Sequence, residues 1–380
     1  GADAQLQIPR LITPPLPFLN VRLPNSDFQP RTFIGAGVKR VERREAFIQD
    51  LFNVNYGYTW KTRVTNEQEL RPIDVQFIRT ADTSRVFSQL LRDRPFLETS
   101  FRQQFVLASS YRYTYNQQAL EQRRNQIYFS GGVEVAGNLA YLVSSLTNQS
   151  RNAEGAYTLF GQEFAQYTKV DLELRNYFRT STNPASGNRL ATRLLLGLGL
   201  PYQNSRVLPY LKQYGIGGPN SVRAFPARGV GPGTYRAPVA TENSSFYDQV
   251  GDLRIEGNVE YRQDLFPYVK GALFVDAGNI WLVNPDPSRA TYTRGENGEA
   301  VRDFQDGQFQ FNTFLRQLAV GAGAGIRVDV QFFVIRFDYA VPLIVPYEEG
   351  AFGRDGAPDT ERFSKFTAPG RFNIAIGYPF

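Results

Sequence analysis

The stretch Gly217–Phe225 reads Gly-Gly-Pro-Asn-Ser-Val-Arg-Ala-Phe, and it continues through Arg228 to Gly231-Pro232-Gly233. Glycine and proline mark both ends, and Arg223 stands between two apolar residues at the centre. The stretch is too long for a routine hairpin turn, and the segments after it alternate apolar and polar residues with a period of two. We therefore expect a loop that folds back against the charged face of a sheet. The alternative is an irregular surface loop with a solvated arginine.

The alternation is clearest in the C-terminal third, over 252–262, 269–282, 317–330, 333–341 and 372–380. One face of each segment is apolar, and the other carries charges, amides or glycines. A soluble sandwich also alternates, but with its polar faces in water. Many of these segments reach the roughly 9–11 residues that cross a membrane as strands, and tyrosines gather near their ends as in interfacial girdles. The pattern favours an all-β, transmembrane antiparallel β-barrel.

Composition agrees with a barrel. The chain has 380 residues, a net charge of +6 and a mean hydropathy of −0.36. No stretch approaches the roughly 20 apolar residues of a membrane helix, whereas a barrel strand needs only every second residue to face lipid. The charges are scattered without runs of like sign, which does not suggest nucleic-acid binding.

Three residue types are absent. Without Cys or His, the chain has no disulfides, thiolate nucleophiles, Ser-His-Asp triads or histidine metal sites. We therefore expect no enzyme, no catalytic residues, no metal and no cofactor; an outer-membrane protease or lipase using Asp/Glu or Ser-Lys chemistry is the remaining enzyme alternative. Without Met, Gly1 is not expected to be the start of translation.

Counting segments predicts about fourteen strands, an even number as in single-chain bacterial barrels. The count places long outer loops at 216–249, 283–316 and 343–370 and short turns at 203–206, 263–268 and 330–331. Two helical inserts, Asp82–Asp93 and Leu139–Leu146, are predicted on the periplasmic side.

Two domains are expected within the chain. Residues 1–31 form a proline-rich segment with a first strand at Gln5–Leu11, and residues 32–380 form the barrel.

The central motif resembles a known signature. Val222-Arg223-Ala224-Phe225 is similar to the Val-Arg-Gly-Phe/Tyr signature in loop six of the BamA/TamA family of bacterial outer-membrane assembly barrels. Phe274, Asp276 and Gly278 resemble the Phe-x-Asp-x-Gly motif of that family. The strands 253–262, 319–327 and 332–342 are also similar, so the resemblance is strong over 216–380 and loose before it.

The chain end carries a further likeness. The apolar positions of its last strand resemble the aromatic-terminated sorting signal of the family: Phe372, Ile374, Ile376, Tyr378 and Phe380. We expect Phe380 to be the native C-terminus and to act as a recognition signal. The helical inserts and Tyr157–Gly161 look most like TamL, the Bacteroidota branch.

The resemblance implies a barrel of sixteen strands, of which about fourteen are visible here. A first hairpin and periplasmic repeat domains are then expected before Gly1. It also implies integral location in the outer membrane of a Gram-negative bacterium, contact with its lipids, and an insertase or translocation role. Client outer-membrane proteins would be handled at a weak seam between the first and last strands, with a periplasmic or inner-membrane assembly partner. The alternative is a passive porin or two-partner secretion pore.

The residues themselves support a partner for Arg223. Even positions of 269–282 carry Lys270, Asp276 and Gly278, so Asp276 is expected to face the lumen. A guanidinium entering the lumen needs such a carboxylate, and a bidentate pair would fix its geometry. The alternative is that Asp276 is simply solvated in a wet lumen.

An alanine in the loop and three glycines in a later strand indicate how the loop could fit against the sheet. Ala224 stands where the family usually has glycine, which indicates close packing rather than a positive φ. Gly321, Gly323 and Gly325 alternate within a strand, and are expected to leave inward space for the loop.

Overall fold

The main element of the fold is one sheet of thirteen strands that follow each other in chain order. The structure is a computed structural model that describes residues 1–12, 28–43, 47–93, 95–118, 120, 123–183, 186–235, 249–286, 291–294, 300–303, 307–330, 332–346 and 370–380. The sheet consists of β1 (Ala2–Ile8), β2 (Arg31–Arg43), β3 (Phe47–Arg63), β4 (Asn66–Thr83), β5 (Gln104–Asn116), β6 (Asn125–Ala136), β9 (Tyr167–Arg179), β10 (Arg189–Pro201), β11 (Leu253–Phe266), β12 (Val269–Trp281), β15 (Ala319–Asp329), β16 (Val334–Ile344) and β17 (Arg371–Ile376). Its neighbours are antiparallel, as predicted, and β1 and β17 are its two edge strands.

Short elements decorate the connections. Two small hairpins pair β7 (Thr158–Leu159) with β8 (Gln162–Glu163) and β13 (Thr291–Arg294) with β14 (Ala300–Asp303). The helices are α1 (Arg85–Asp93), α2 (Pro95–Phe101) and α3 (Asn138–Leu146). None of the helices in the described part of the chain is long and apolar enough to span a membrane.

Burial along the strands is reversed relative to a soluble protein. In β11, Glu256 and Glu260 are fully buried, whereas Val259 between them is 45% exposed. In β12, Asp276 is fully buried and Leu273 is 63% exposed. Since a strand alternates its faces, one side of the sheet is apolar and open while the other is charged and covered. This arrangement is stable where the open side meets lipid.

The chain divides into two compact units. One comprises Gly1–Ala119, Tyr128–Leu172 and Gly199–Lys212. Its inner core is apolar: Ile78, Val106, Ala108, Ala136, Ala165, Tyr167 and Leu208. The other comprises Leu120–Ile127, Glu173–Leu198 and Gln213–Phe380, and its inner side carries most of the buried charges.

The described residues form a sheet of thirteen strands rather than about fourteen. The predicted turn at 203–206 and loop at 216–249 imply a strand over 207–215, and these residues do not form one. The predicted turn at 203–206 is present, with Ser205 N donating to Tyr202 O, but it leads into a 3-10 turn at Tyr210–Lys212. β10 therefore pairs directly with β11, and we call residues 202–252 between them, of which 202–235 and 249–252 are described, loop six.

The strand implied over 207–215 also affects the prediction for the helices, and their predicted periplasmic side is wrong. Connections alternate between the two ends of the sheet, so α1, α2 and α3 lie at the same end as loop six, not at the opposite, periplasmic end. Contacts agree, because the ring of Phe101 in α2 lies 4.2 Å from that of Tyr210, centroid to centroid. A miscounted strand inverts the side of every earlier connection.

The predicted terminal strands also shift. The first strand is Ala2–Ile8 rather than Gln5–Leu11, since Pro9 ends it. The last strand ends at Ile376 rather than Phe380, because Gly377 adopts a φ of 83°. Phe372, Ile374 and Ile376 share the open face as predicted, whereas Phe380 leaves it and is 6% exposed.

The reversed burial can be tested with a spin label, since the chain has no cysteine. In reconstituted bilayers, a label at Leu273→Cys should relax with dissolved oxygen and not with a water-soluble nickel chelate, because this position is 63% exposed on the apolar side. The adjacent Ala272→Cys, which is 6% exposed, is the control and should respond weakly to both reagents. Equal oxygen accessibility of the two labels, or strong nickel accessibility at Leu273→Cys, would contradict the assignment of the lipid face.

Candidate functional site

Loop six brings Arg223 to the charged side of the sheet through a compact local fold. Gly217 and Gly218 have φ values of 104° and 90°, which L side chains rarely adopt. Gly218 N then donates to Phe225 O at 2.9 Å, and Phe225 N donates to Val222 O at 3.1 Å. Val222 and Phe225 are buried in an apolar cluster with residues of the sheet. Val222 before Arg223 and Phe225 two residues after it thus anchor the arginine between them.

Arg223 and Asp276 lie in bidentate contact, as the sequence predicts. Arg223 Nε donates to Asp276 Oδ2 at 2.8 Å, and Nη2 donates to Oδ1 at 2.9 Å. The backbone N of Arg223 also donates to Asp276 Oδ2, at 3.1 Å. Both side chains are at most 1% exposed. The carboxylate therefore holds the loop by its backbone as well as by its charge.

The third nitrogen of Arg223 binds a carboxylate that the sequence did not single out. Nη1 donates to Glu260 Oε2 at 2.5 Å and lies 3.6 Å from Asp338 Oδ2. The guanidinium also lies over the ring of Phe274, 3.4 Å from its centroid, in cation–π geometry. Phe274, known from the motif, is thus the floor of the site. Glu260 and Asp338 are further ligands of the same cation.

Burial alone would disfavour the charged guanidinium. The hydrogen bond and charge of Asp276, together with the charge of Glu260, outweigh that effect and raise the pKa of Arg223 above its usual range. Arg223 is therefore charged at neutral pH.

Glycines make room for the loop at two positions. Gly321 stands opposite Asp276 in register, and a Cβ there would collide with the methyl group of Ala224. A Cβ on Gly278 would lie 2.6 Å from Ile216 of loop six. The space beside Gly323 is instead filled by Phe274, and that beside Gly325 by Arg327 and Asp338. The prediction that these glycines leave space for the loop is thus right for Gly321. At Gly323 and Gly325 the space is occupied by side chains of the sheet itself.

Ala224 has no positive φ, so close packing is the constraint at this position, as expected. Arg228, by contrast, has a φ of 56°, and its side chain packs over Gly215. Arg228 therefore shapes the turn of loop six.

A second layer of arginines binds the same carboxylates. Arg327 Nη2 donates to Glu260 Oε2 at 3.0 Å, and its Nη1 is paired with Asp338. Arg336 Nη2 donates to Asn220 Oδ1 of loop six at 2.6 Å. The buried charges thus form one network that joins four strands, β11, β12, β15 and β16, to the loop.

The polar side chains before Arg223 complete this network. Ser221 Oγ donates to Glu256 Oε2 at 2.6 Å, and Asn258 Nδ2 donates to both Ser221 O and Asp276 Oδ1. Arg193 of β10 donates from Nη2 to Glu256 Oε1 at 2.6 Å and to Asn220 O at 2.8 Å. Glu256, Asn258 and Glu260 lie on the polar face that the alternation over 252–262 predicts. The signal for their role is that every second residue there is polar and lies opposite or next to Asp276.

The chain end crosses the inner side of the same unit. After Gly377, Phe380 packs against Tyr177 and Ala191. Arg262 lies over the ring of Tyr378 at 4.3 Å from its centroid, and its Nη2 donates to Phe380 O at 3.2 Å. The predicted terminal aromatics are therefore held by interior arginines, not by lipid.

Comparisons with known proteins show the family and the fold of the chain. A family model described as the Omp85 superfamily domain matches residues 96–380. The fold is similar to that of BamA from Haemophilus ducreyi lacking POTRA domains 1–3, with a TM-score of 0.55 and 14% identity over 82% of this chain and 55% of that one.

Two further solved structures are more distant. CdiB from Escherichia coli has a TM-score of 0.42 and 12% identity, over 83% of this chain and 46% of that one. CdiB from Acinetobacter baumannii has a TM-score of 0.40 and 13% identity, over 83% of this chain and 44% of that one. This chain thus spans about half the length of these solved proteins. A search of curated protein sequences found no match.

Removing the charge of Arg223 should destabilise the folded protein strongly. Arg223→Gln leaves Asp276 without its bidentate partner and removes one of the three arginines paired with Glu260, and breaking a buried pair in this way costs about 3–5 kcal/mol. We expect the folded, heat-modifiable form to be lost several degrees earlier on gel electrophoresis after graded heating.

Arg189→Gln is the matched control, because Arg189 lies on an exposed position of β10. Arg223→Gln combined with Asp276→Asn should cost less than the two single effects added together, since the two residues share one interaction. An effect of Arg223→Gln no larger than that of Arg189→Gln would show that the network does not hold the fold.

Proposed function

Because this chain belongs to the Omp85 superfamily and is an integral β-barrel protein of the bacterial outer membrane, we propose that it is an insertase or translocation barrel. It would assist the assembly or export of outer-membrane or surface proteins, which are its client partners. The clients engage an unpaired edge of the sheet, where an incoming strand finds free backbone donors and acceptors.

One observation carries the proposal, namely the shortness of the closing strand. β17 has 6 residues, whereas β16 beside it has 11. It pairs with β16 from Ile335↔Ile376 to Ala340↔Arg371, and it stands at the end of the strand order. Gly377 then turns the chain away, with its N–H donating to Val334 O at 2.7 Å. The edge therefore offers a short row of backbone groups to a partner strand.

Such an edge is costly in lipid. Each backbone donor or acceptor without a partner costs several kcal/mol in hydrocarbon, so an edge strand in a membrane takes up an available strand. Strand addition uses main-chain hydrogen bonds and therefore accepts clients of varied sequence. This tolerance suits a protein that assembles other barrels.

The rival function is a passive porin or a two-partner secretion pore. Against it stands the interior of the second unit, where loop six is held by Asp276, Glu260 and an apolar cluster. A passive pore has no use for a loop fixed in this way. We therefore favour a seam over an open channel.

Finer assignments are also proposals. We propose that the chain belongs to the TamL branch; the exposed Phe160 in the β7–β8 hairpin lies within Tyr157–Gly161, one of the segments that resemble this branch. A periplasmic or inner-membrane assembly partner would serve the same role, and no enzymatic activity is needed for it.

The seam can be tested by photo-crosslinking to an unfolded outer-membrane barrel polypeptide. A photoreactive phenylalanine analogue at Phe372 should form adducts with this client, because Phe372 lies on the edge strand. Leu273 is the control, since both positions are 63% exposed but Leu273 lies between two paired strands. Equal adduct yields at the two positions, or none at Phe372, would refute the seam.

The two functions also differ in conductance. In planar bilayers the wild-type protein should show little steady current, because loop six is fixed inside its unit. Arg223→Gln with Asp276→Asn should raise the current by releasing the loop, whereas Arg189→Gln should not. A large steady current through the wild-type protein would favour the passive pore.

A further inference from the structure

A triad of charged residues lies on the open, lipid-side face of the first unit, away from the site above. Asp50 of β3 is paired in register with Arg40 of β2 and Arg79 of β4. Asp50 accepts from Arg40 Nε at 2.8 Å and from Arg79 Nη2 at 2.7 Å. Its side chain is 5% exposed, whereas those of Arg40 and Arg79 are 61% and 47% exposed. One covered carboxylate thus orients two open guanidiniums.

The same face becomes aromatic and then apolar along the strands. Two residues from the triad, about 7 Å away, Phe52 stands in register with Val38 and Phe77. The rings of Phe52, Phe77 and Phe105 form a row, with centroids 6.4 and 4.7 Å apart. Such a row is typical of the interfacial girdle of a membrane barrel. The triad is therefore at the height of the lipid headgroups.

An apolar groove begins directly below the triad. It has a volume of about 550 Å³ and runs between β1 and β4. Its lining is mostly apolar and includes two polar residues, Asp3 and Asn53: Ala2, Asp3, Ala4, Ala36, Gly37, Val38, Phe52, Asn53, Val54, Val75 and Phe77. Its volume lies in the range of ligand pockets.

We propose that this surface is a binding site for a membrane lipid with a phosphate headgroup, whose acyl chain lies in the groove. The triad lies at the sheet end that carries loop six and the helical inserts. Long connections of bacterial barrels are extracellular and short ones periplasmic, so the lipid belongs to the outer leaflet.

Charge and geometry select phosphate. Arg40 spends two N–H groups and Arg79 one on Asp50, while each guanidinium has five. The remaining donors on adjacent strands match the oxygens of one phosphate, which guanidinium groups bind in bidentate fashion. The triad keeps one net positive charge after Asp50 is counted. A zwitterionic headgroup would place its own cation near these arginines, and is disfavoured.

The test is native mass spectrometry of the full chain in mild detergent. The probes are dioleoyl phosphatidic acid, dioleoyl phosphatidylcholine and inorganic phosphate. The triple variant Arg40→Gln/Asp50→Asn/Arg79→Gln removes the triad without leaving a covered carboxylate unpaired. We expect it to bind phosphatidic acid roughly 30-fold more weakly than the wild type, from the loss of two basic residues at the membrane surface.

Lys39→Gln is the control. Lys39 is exposed on the opposite face of the same strand, and its loss changes the net charge by the same amount as the triple variant. We expect its affinity to be unchanged. If Lys39→Gln weakened phosphatidic acid binding as much as the triple variant, the effect would come from the net charge of the protein, and the proposed site would be wrong.

The groove has its own variant, in case the triad variant folds poorly. Ala36→Trp fills the groove and should weaken phosphatidic acid binding while the triad is intact. Folding of each variant is checked by its heat-modifiable mobility.

The remaining outcomes overturn the proposal. Phosphatidylcholine bound as tightly as phosphatidic acid would mean that the arginines do not select the headgroup. Millimolar inorganic phosphate that displaces the lipid would indicate a free-phosphate site instead. Unchanged binding in Ala36→Trp would exclude the groove as the acyl site.

Discussion

The rest of the second unit depends on burial of the Arg223 guanidinium among carboxylates. Asp276, Glu260 and Asp338 are fully buried on three different strands, and a buried carboxylate without a partner is strongly destabilising. Arg223 meets two of them by hydrogen bonds and the third at 3.6 Å. A network of this kind adds little stability over an apolar core, but it accepts only one position of the loop. We interpret it as the element that specifies where loop six lies.

That constraint explains the pattern of the neighbouring side chains. Arg223 must reach Asp276, so the residue opposite Asp276 on β15 is a glycine, Gly321. The loop residue that packs against Gly321 is Ala224, because a larger side chain would not fit. Phe274 closes the site from below, and Arg327 and Arg336 balance the carboxylates that Arg223 does not neutralise. Each of these residues is selected by charge balance or by space, rather than by strand propensity.

The same physics has opposite consequences at the two faces of the sheet. Inside, polar groups are covered and must pair with each other; outside, apolar residues such as Leu273 and Phe372 are open, and the bilayer takes the place of a core. Backbone groups at an edge are the exception, because lipid cannot satisfy them. A short closing strand at that edge and a loop held against the inner side of the sheet are the two features on which the proposed function rests.

The amino-acid sequence by itself determined the antiparallel strands, their lipid and inner faces, the loop motif and the Arg223–Asp276 pair, because a period of two is a local property and Asp276 lies in a clear inward phase. The sequence did not show that residues 207–215 lack a strand, and it therefore did not show on which side of the sheet α1 to α3 lie. The side of a connection depends on the number of strands between it and the chain end, so one miscounted strand reverses it. Only the tertiary structure decided that Glu260, Asp338 and Arg336 share the site of Arg223, since they come from separate strands whose register is not written in any one of them. It also decided that Phe380 turns inward. The glycine at position 377 only permits a positive φ, whereas the contacts of Arg262 with Phe380 hold the chain end in this position.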